Sequence, residues 1–208
     1  MGFYGRHIGP RIVSALCSLE DITEQRRIVL PKAHGVVLEV GIGSGLNLPH
    51  YDPAKVVRVI GVDPGEGFVA LGTKRWSNSP VPLQLIQAPA EKIPLEDNIA
   101  DTAVLTYTLC SVSDPVAALR EIRRVLKPGG MLLFCEHGKA EEASVVRWQD
   151  RLNPIWKVMA CGCNLNRDTM ALLTGAGFEI GAVDRFYLPH APKPVAFHCR
   201  GVAGAPAV

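Results

Sequence analysis

Apolar residues follow two alternating patterns along the chain. Short unbroken apolar runs are typical of strands buried in a parallel sheet, whereas apolar residues that recur every three or four positions are typical of helices. The unbroken runs predict strands at residues 36–40, 56–62, 83–88, 100–106, 131–136, 178–187 and 195–202. The helical spacing covers residues 10–29, with an interruption near 20–21, and residues 69–76, 115–126 and 167–175. Residues 140–166 are less regular, so we expect irregular structure there.

The alternation of strands and helices predicts an α/β fold, with a doubly wound and mostly parallel sheet of seven strands. The last two strands flank a short proline-rich turn and are expected to form an antiparallel hairpin at one edge. The clearest helix follows Asp114, a good N-cap, and has Pro115 in its first position. We expect one main domain over residues 33–208. A helical segment at residues 1–32, including Tyr4, is expected to form a lid over the site or to pack on the sheet.

Composition narrows the function classes. The chain carries a formal charge of +2 and no block of five like charges, so we expect no nucleic-acid partner. No apolar stretch reaches the roughly 18–20 residues that span a bilayer, and Arg6 and His7 interrupt the region where a signal peptide would be apolar. We therefore expect a cytoplasmic protein, with peripheral membrane contact left open.

The six cysteines are expected to be free thiols. Only Cys161 and Cys163 are close in sequence, so no metal site is predicted.

The most informative motif is a glycine-rich segment after the first predicted strand. It contains Gly41, Gly43, Ser44, Gly45 and Asn47. We expect a tight turn that leads into the N-terminus of a helix and offers backbone N–H groups to a ligand. Dinucleotide dehydrogenases have their third glycine where this chain has Leu46, so the spacing argues against a nicotinamide enzyme. Glu39, just before the loop, is expected to face a ligand ammonium directly or through water. The alternative is a plain turn with a solvated glutamate.

A second acidic residue, Asp63, ends the second predicted strand. A carboxylate at this place accepts hydrogen bonds from both hydroxyl groups of a ribose in nucleotide-binding folds. Asp63 therefore predicts a ligand that contains adenosine, although this geometry does not separate one adenosine cofactor from another. Pro64 would stack under the sugar or begin a turn. The alternative for Asp63 is that it caps the next helix.

Three further segments, residues 88–94, 101–107 and 118–130, extend the pattern. Together with the glycine-rich segment, they resemble the class I S-adenosylmethionine-dependent methyltransferases over about residues 33–200. The resemblance implies a Rossmann-like methyltransferase fold with S-adenosyl-L-methionine as cofactor. It also implies that Ala90 and Glu91 meet the adenine, and that the methionine end is lined by Thr106, Tyr107 and Ser111. Pro89 departs from the family, in which an aspartate often stands at this position.

A narrower resemblance lies in residues 109–112, 136–137 and 162–167. These segments resemble the methyltransferase-like thiol methyltransferases, which act on alkyl thiols and hydrogen sulfide and carry an apolar N-terminal anchor that we do not find in this sequence. The resemblance implies a small-molecule acceptor, with a thiol slightly favoured. His137 and Asn164 are the candidates for contact with the acceptor. Each has a structural alternative, a backbone hydrogen bond at a strand end for His137 and a turn cap for Asn164.

The sequence leaves more than one possibility for the methyl acceptor and for the reaction. Methyl transfer from a sulfonium depends on alignment more than on acid–base catalysis, and a thiol is partly ionised at neutral pH. An amine or phenol acceptor would instead require a general base. A lipid or a quinone precursor is a second class of acceptor. A third interpretation is a non-catalytic module that binds the cofactor for a partner. The sequence leaves the oligomeric state open.

Overall fold

A computed structural model describes residues 8–205, with only the backbone described at Val69 and Ala70. Tyr4 and the rest of residues 1–7 therefore lie outside the described part of the predicted lid. Seven strands form one sheet: β1 (Gly35–Val40), β2 (Val56–Val62), β3 (Leu83–Ile86), β4 (Ala100–Thr106), β5 (Leu126–His137), β6 (Glu179–Tyr187) and β7 (Phe197–Gly204). The helices are α1 (Gly9–Cys17), α2 (Glu20–Val29), α3 (Val69–Ser77), α4 (Pro115–Val125), α5 (Ala143–Met159), α6 (Thr169–Gly175) and α7 (Lys193–Ala196).

The strand order across the sheet is β3-β2-β1-β4-β5-β7-β6. The strands β1 to β5 are parallel, and β7 is antiparallel to both β5 and β6. The predicted seven-stranded, doubly wound α/β fold with an antiparallel C-terminal hairpin is thus confirmed. The order reverses between β1 and β4, and ligands of such sheets collect beyond the carboxyl ends of the strands at this point.

The apolar core is divided between the two faces of the sheet. Leu38 and Leu105 pack with Leu119 of α4 on one face, while their strand neighbours Val37 and Val104 pack on the other. All five are fully buried. Because the sheet is covered on both faces, successive strand residues are apolar, which explains the unbroken runs in the sequence.

The helix α4 forms as its sequence predicts. The carboxylate of Asp114 accepts hydrogen bonds from the backbone N–H groups of Val116 and Ala117, both at 3.0 Å. Its buried residues are Ala118, Leu119, Ile122 and Val125, one face of the helix. The chain then enters β5 directly at Leu126, so the segment 127–130 belongs to a long strand with an irregular register rather than to a separate turn.

Two sequence expectations are wrong. Residues 143–159 form the longest helix, α5, where we expected irregular structure. Only Val145 and Gln149 of this helix are buried, whereas its apolar residues Trp148 and Ile155 are exposed. Pro154 lies inside the helix, and a proline in a helix interior argues against a helix in the sequence. No α-helix follows the glycine loop either. The chain makes a single 3₁₀ turn at Leu48–His50, where Pro49 lacks the N–H that a longer helix would use.

The N-terminal segment forms two helices, and the break between α1 and α2 lies at Ser18 and Leu19, two residues before the predicted interruption at 20–21, where α2 begins. Over residues 8–205, none of the helices is both long and apolar enough to traverse a lipid bilayer.

Candidate active site

The glycine loop, residues 41–45, turns at the carboxyl end of β1. Its glycines have φ angles of +77°, +50° and +74°, the left-handed region that other residues rarely adopt. A Cβ atom at Gly41 would lie 2.1 Å from Oγ1 of Thr108, so close packing also requires glycine there. The nearest atom to such a Cβ at Gly43 is 3.8 Å away, on Phe68. The loop is therefore tightly packed at Gly41 and open at Gly43.

Asp63 lies at the end of β2 and faces this loop. Its Oδ2 accepts a hydrogen bond from the backbone N–H of Gly43 at 3.0 Å, and its Oδ1 accepts one from Gly65 at 2.7 Å. Burial raises the pKa of Asp63, although both hydrogen bonds oppose the shift. A carboxylate oxygen has two lone pairs, so each oxygen keeps room for a further donor. The structure thus brings Asp63 to the loop, with Pro64 exposed beside it.

A buried polar network lies behind the loop. The Nδ2 of Asn47 donates to Oε1 of Glu39 at 3.0 Å and to Oγ1 of Thr106 at 2.9 Å. The hydroxyl of Tyr51 donates to Oε2 of Glu39 at 2.7 Å. Burial raises the pKa of Glu39 to about 7, even though these donors lower it. The structure therefore joins β1, the loop and β4 through Glu39, Asn47 and Thr106, and it places the Glu39 carboxylate inside the protein.

Arg26 of α2 completes the network and was not among the predicted site residues. Its Nε donates to Oδ1 of Asn47 at 3.0 Å, and its Nη1 donates to the backbone carbonyl of Cys17 at 2.7 Å. The guanidinium carbon lies 5.3 Å from the ring centre of Tyr107, and the residue is 3% exposed. The signal was present in the spacing, because Arg26 shares the apolar side of α2 with Val29 and is buried with it. A buried cation at a ligand-collecting edge suits an anionic group.

The remaining predicted cofactor residues lie around this centre. Ser44 is buried and its hydroxyl is 2.8 Å from that of Ser14, which ties α1 to the glycine loop. Ala90 is buried, while Oε1 of Glu91 accepts hydrogen bonds from the N–H groups of Ser113 and Asp114 at 2.9 and 3.0 Å. The Glu91 carboxylate is thus directed to the start of α4.

Two predicted residues follow β4 at the methionine end that the family resemblance implies. Tyr107 has a φ of +57°, an uncommon conformation for a residue with a side chain, and such strain is frequent at functional sites. Ser111 is exposed, and its Oγ lies 3.3 Å from Sγ of Cys110.

Glu136 at the end of β5 is a second residue that the sequence did not single out as a site residue. Its Oε1 accepts hydrogen bonds from the N–H groups of Thr108 and Leu109 at 2.8 and 3.1 Å. Its Oε2 is buried and has no partner among the described residues. Burial raises the pKa of Glu136, with the backbone hydrogen bonds opposing the shift. An unpaired buried carboxylate oxygen is costly, so a ligand donor at this point would stabilise it.

Cys110, His137 and Cys163 form the cysteine–histidine cluster. The Nε2 of His137 lies 3.0 Å from Sγ of Cys163, and the ligand atoms of all three residues lie within 4.8 Å of one another. The hydrogen bond with Cys163, followed by burial, raises the pKa of the Cys110 thiol well above its ordinary value. The Nδ2 of Asn164 donates to the backbone carbonyl of Cys110 at 2.9 Å, so Asn164 fixes the backbone of Cys110 in place. The two predicted acceptor residues, His137 and Asn164, are thus neighbours.

Comparison with known proteins identifies the family. The model of the family described as "Methyltransferase domain" matches residues 38–134. The human protein named thiol S-methyltransferase TMT1B is 37% identical over 171 residues, which cover 80% of this chain and 69% of that protein. The chain belongs to the class I S-adenosylmethionine-dependent methyltransferases. S-adenosyl-L-methionine is its cofactor, and the four segments that suggested this family are confirmed as family signals.

Two further proteins are similar to this methyltransferase, one in part of its sequence and one in its fold. The ubiquinone/menaquinone biosynthesis C-methyltransferase UbiE of Geobacter sulfurreducens is 36% identical over 107 residues, 49% of this chain and 41% of that protein. The solved structure of a SAM-dependent methyltransferase from Thermotoga maritima has a TM-score of 0.67 and 23% identity, covering 97% of this chain and 98% of that one. The last likeness shows the fold alone.

Proposed function

We propose that this methyltransferase transfers the methyl group to the sulfur of a small thiol. The observation that carries the proposal is the 37% identity to a protein named thiol S-methyltransferase, over 80% of this chain. The acceptor segments 109–112, 136–137 and 162–167, which are separate in sequence, meet at the cysteine–histidine cluster. Since they lie beside one another at the carboxyl edge of the sheet, an acceptor pocket at this place would be built from all three.

The described residues fit S-adenosyl-L-methionine, which supplies an electrophilic methyl group on a sulfonium when bound. The open position at Gly43 is space that any side chain would fill. We assign the ribose to Asp63, the only carboxylate hydrogen-bonded to the glycine loop's Gly43 among the described residues. Arg26 offers its positive charge to the carboxylate of the methionine moiety. Glu39 stabilises the loop through its hydrogen bond with Asn47.

Five residues are proposed to act at the two ends of the cofactor. Ala90 would contact the adenine, while Glu91 would act on it through the start of α4 rather than by its own carboxylate. Thr106 and Tyr107 would line the methionine end. Glu136 is added to this set because its buried Oε2 has no described partner.

The N-terminal helices are proposed to form the lid. The hydroxyl contact between Ser14 and Ser44 and the bond from Arg26 to Asn47 place α1 and α2 against the loop. We further propose a cytoplasmic location without a nucleic-acid partner. The free state of all six cysteines supports it, because reducing compartments keep thiols unpaired.

A methyl-transfer assay tests the acceptor. Purified chain is incubated with labelled S-adenosyl-L-methionine and, separately, with alkyl thiols, hydrogen sulfide, amines, phenols, phosphatidylethanolamine and a demethylated quinone. We expect saturable transfer to thiols, with kcat/KM at least about tenfold above every other class, because a thiol is partly ionised at neutral pH whereas an amine or phenol requires a general base. Transfer to the quinone alone would establish the second candidate, which the partial likeness to UbiE favours. Cofactor binding without transfer to any acceptor would establish the non-catalytic interpretation.

A further inference from the structure

The cysteine–histidine cluster contains a donor set that the proposed methyl transfer does not itself require. Two thiol sulfurs and one imidazole nitrogen converge from three separate parts of the chain: the segment after β4, the end of β5 and the segment after α5. Cys110 and Cys163 are 3% and 8% exposed, so neither is placed for reaction with bulk solvent. Buried, soft donors of this kind select a metal such as zinc over the hard cations calcium and magnesium.

The distances are close to those of a tetrahedral zinc site. Zinc binds sulfur at about 2.3 Å and imidazole nitrogen at about 2.0–2.1 Å, which puts neighbouring ligand atoms roughly 3.5–3.8 Å apart. In the structure Nε2 of His137 is 3.0 Å from Sγ of Cys163, and no pair in the cluster exceeds 4.8 Å. Ångström-scale or smaller adjustments of the side chains, without movement of the strands, would meet this geometry.

The surroundings hold the donors in place. Cys161 and Gly162 have φ angles of +51° and +96°, and this strained turn presents Cys163 to the cluster. The indole Nε1 of Trp156 lies 3.2 Å from Sγ of Cys163 and donates to it. A hydrogen bond to a metal-bound sulfur orients the ligand and stabilises its charge.

A second link holds Cys110. Its backbone carbonyl accepts hydrogen bonds from both the backbone N–H and the side-chain Nδ2 of Asn164, each at 2.9 Å. The segments that carry Cys110 and Cys163 are therefore fastened to each other, independently of any bound ion.

We propose that Cys110, His137 and Cys163 bind one Zn²⁺ ion and leave its fourth position to the sulfur of the acceptor. Three protein ligands with one open position are the pattern of catalytic zinc sites, and two cysteines with one histidine are a known set. Coordination of the acceptor sulfur rests on the proposed thiol methylation. A thiol is deprotonated when it coordinates zinc, so the ion would present the acceptor as a thiolate.

The step balances without an oxidant or a reductant. Zn²⁺ replaces the two thiol protons of Cys110 and Cys163, which pass to solvent, and neutral His137 contributes a lone pair. The acceptor thiol then loses its own proton to solvent on occupying the fourth position. In the transfer, a bond would form between the acceptor sulfur and the methyl carbon as the methyl–sulfonium bond of S-adenosyl-L-methionine breaks, and S-adenosyl-L-homocysteine would leave as a neutral thioether. Zinc remains Zn²⁺ throughout.

Metal content and cobalt substitution test the site in the full chain. We expect about one zinc per chain, removed by a chelator and replaceable by Co²⁺ with a thiolate-to-cobalt absorption band. Addition of 1-propanethiol should shift that band at the concentrations that saturate turnover. Replacement of one ligand in Cys163→Ser should weaken Co²⁺ binding by more than about 100-fold, and Trp156→Phe by roughly 10–100-fold.

Cys161→Ser is the matched control, because this exposed thiol lies in the same turn and outside the cluster. It should bind Co²⁺ as the unchanged chain does. Far-UV circular dichroism and thermal melting establish that each variant folds. Removal of the metal from the unchanged chain with a chelator, followed by reloading with Co²⁺, tests the site even if a variant fails to fold.

The outcomes separate the two proposals. Co²⁺ binding that is equal in Cys163→Ser and in the unchanged chain would overturn the zinc site. A cobalt band that does not shift on addition of 1-propanethiol would also overturn the zinc site. Full thiol methylation by the metal-free enzyme would overturn the zinc site too, but it would support the proposed function. A band that shifts with 1-propanethiol, in an enzyme that methylates no thiol, would support the zinc site and overturn the proposed function.

Discussion

The glycine loop and the cysteine–histidine cluster lie at the same edge of the sheet but are built in opposite ways. The loop is one short contiguous segment whose glycines are required by positive φ angles and by packing against Thr108. The cluster gathers single residues from three segments, and only tertiary structure brings them within 4.8 Å. A local motif whose backbone requires glycine can be recognised from the spacing of its glycines in the sequence. A cluster of side chains that only the fold brings together has no such spacing.

The largest effect should come from the loop. In Gly43→Ala the new Cβ projects into the open space at Gly43, so we expect cofactor affinity to fall by at least about 100-fold, or 2.7 kcal/mol. Isothermal calorimetry with S-adenosyl-L-methionine measures the loss. Gly129→Ala is the matched control, because Gly129 also has a positive φ of +75° and its Cβ would meet nothing within 4 Å. Equal affinities in the two variants would remove Gly43 from the cofactor site.

The cluster should respond in the opposite manner. In His137→Gln the imidazole is lost at a position away from the glycine loop, so we expect kcat/KM for the thiol acceptor to fall by at least about tenfold. The dissociation constant of S-adenosyl-L-methionine should change by less than about threefold. Parallel calorimetry and rate assays provide both numbers. A variant with normal turnover, or one that loses cofactor binding equally, would contradict the division between loop and cluster.

The smallest expected effect concerns the network behind the loop. Burial raises the pKa of Glu39 to about 7, above its ordinary 4.5. The contribution of this carboxyl to stability is therefore fully present below its ordinary pKa and is lost as the pH rises through about 7. Because Glu39→Gln cannot ionise, we expect it to be more stable than the unchanged chain at pH 8, by on the order of 1–3 kcal/mol, with the difference vanishing near pH 4.

Thermal melting across this pH range measures the difference for Glu39→Gln. The control is Glu66→Gln, since Glu66 is exposed in a 3₁₀ turn and the substitution there buries no group. A stability gain in Glu39→Gln that is the same at pH 4 and pH 8 would show that burial of the charge is not its cause.

The same contrast explains what the sequence could and could not predict. Strands such as β2 and β4 were predicted to the residue, because a sheet covered on both faces demands unbroken apolar runs. The helix α5 was missed because Pro154 in its interior argues against a helix, although Val145, Trp148, Leu152 and Ile155 follow helical spacing.

Within the site, the loop, Asp63 and Asn47 could be located from spacing alone. The roles assigned to them remain predictions. Arg26 was missed although it lies on the buried side of α2 with Val29, because arginine is usually found at the surface and the acceptor that holds it, Asn47, comes from a distant part of the chain. The cluster was missed because Cys163 was compared with its sequence neighbour Cys161, whereas the fold pairs it with His137.

The position of β7 has a consequence for synthesis on the ribosome. This strand comes last in the chain among the seven described strands, yet it lies between β5 and β6 and its His198 pairs with His137. A nascent chain that stops before residue 197 exposes the open edge of β5, which is a template for aggregation. The edge of β5 therefore stays unpaired until β7 has left the exit tunnel, and truncations before residue 197 should produce insoluble protein rather than a smaller enzyme.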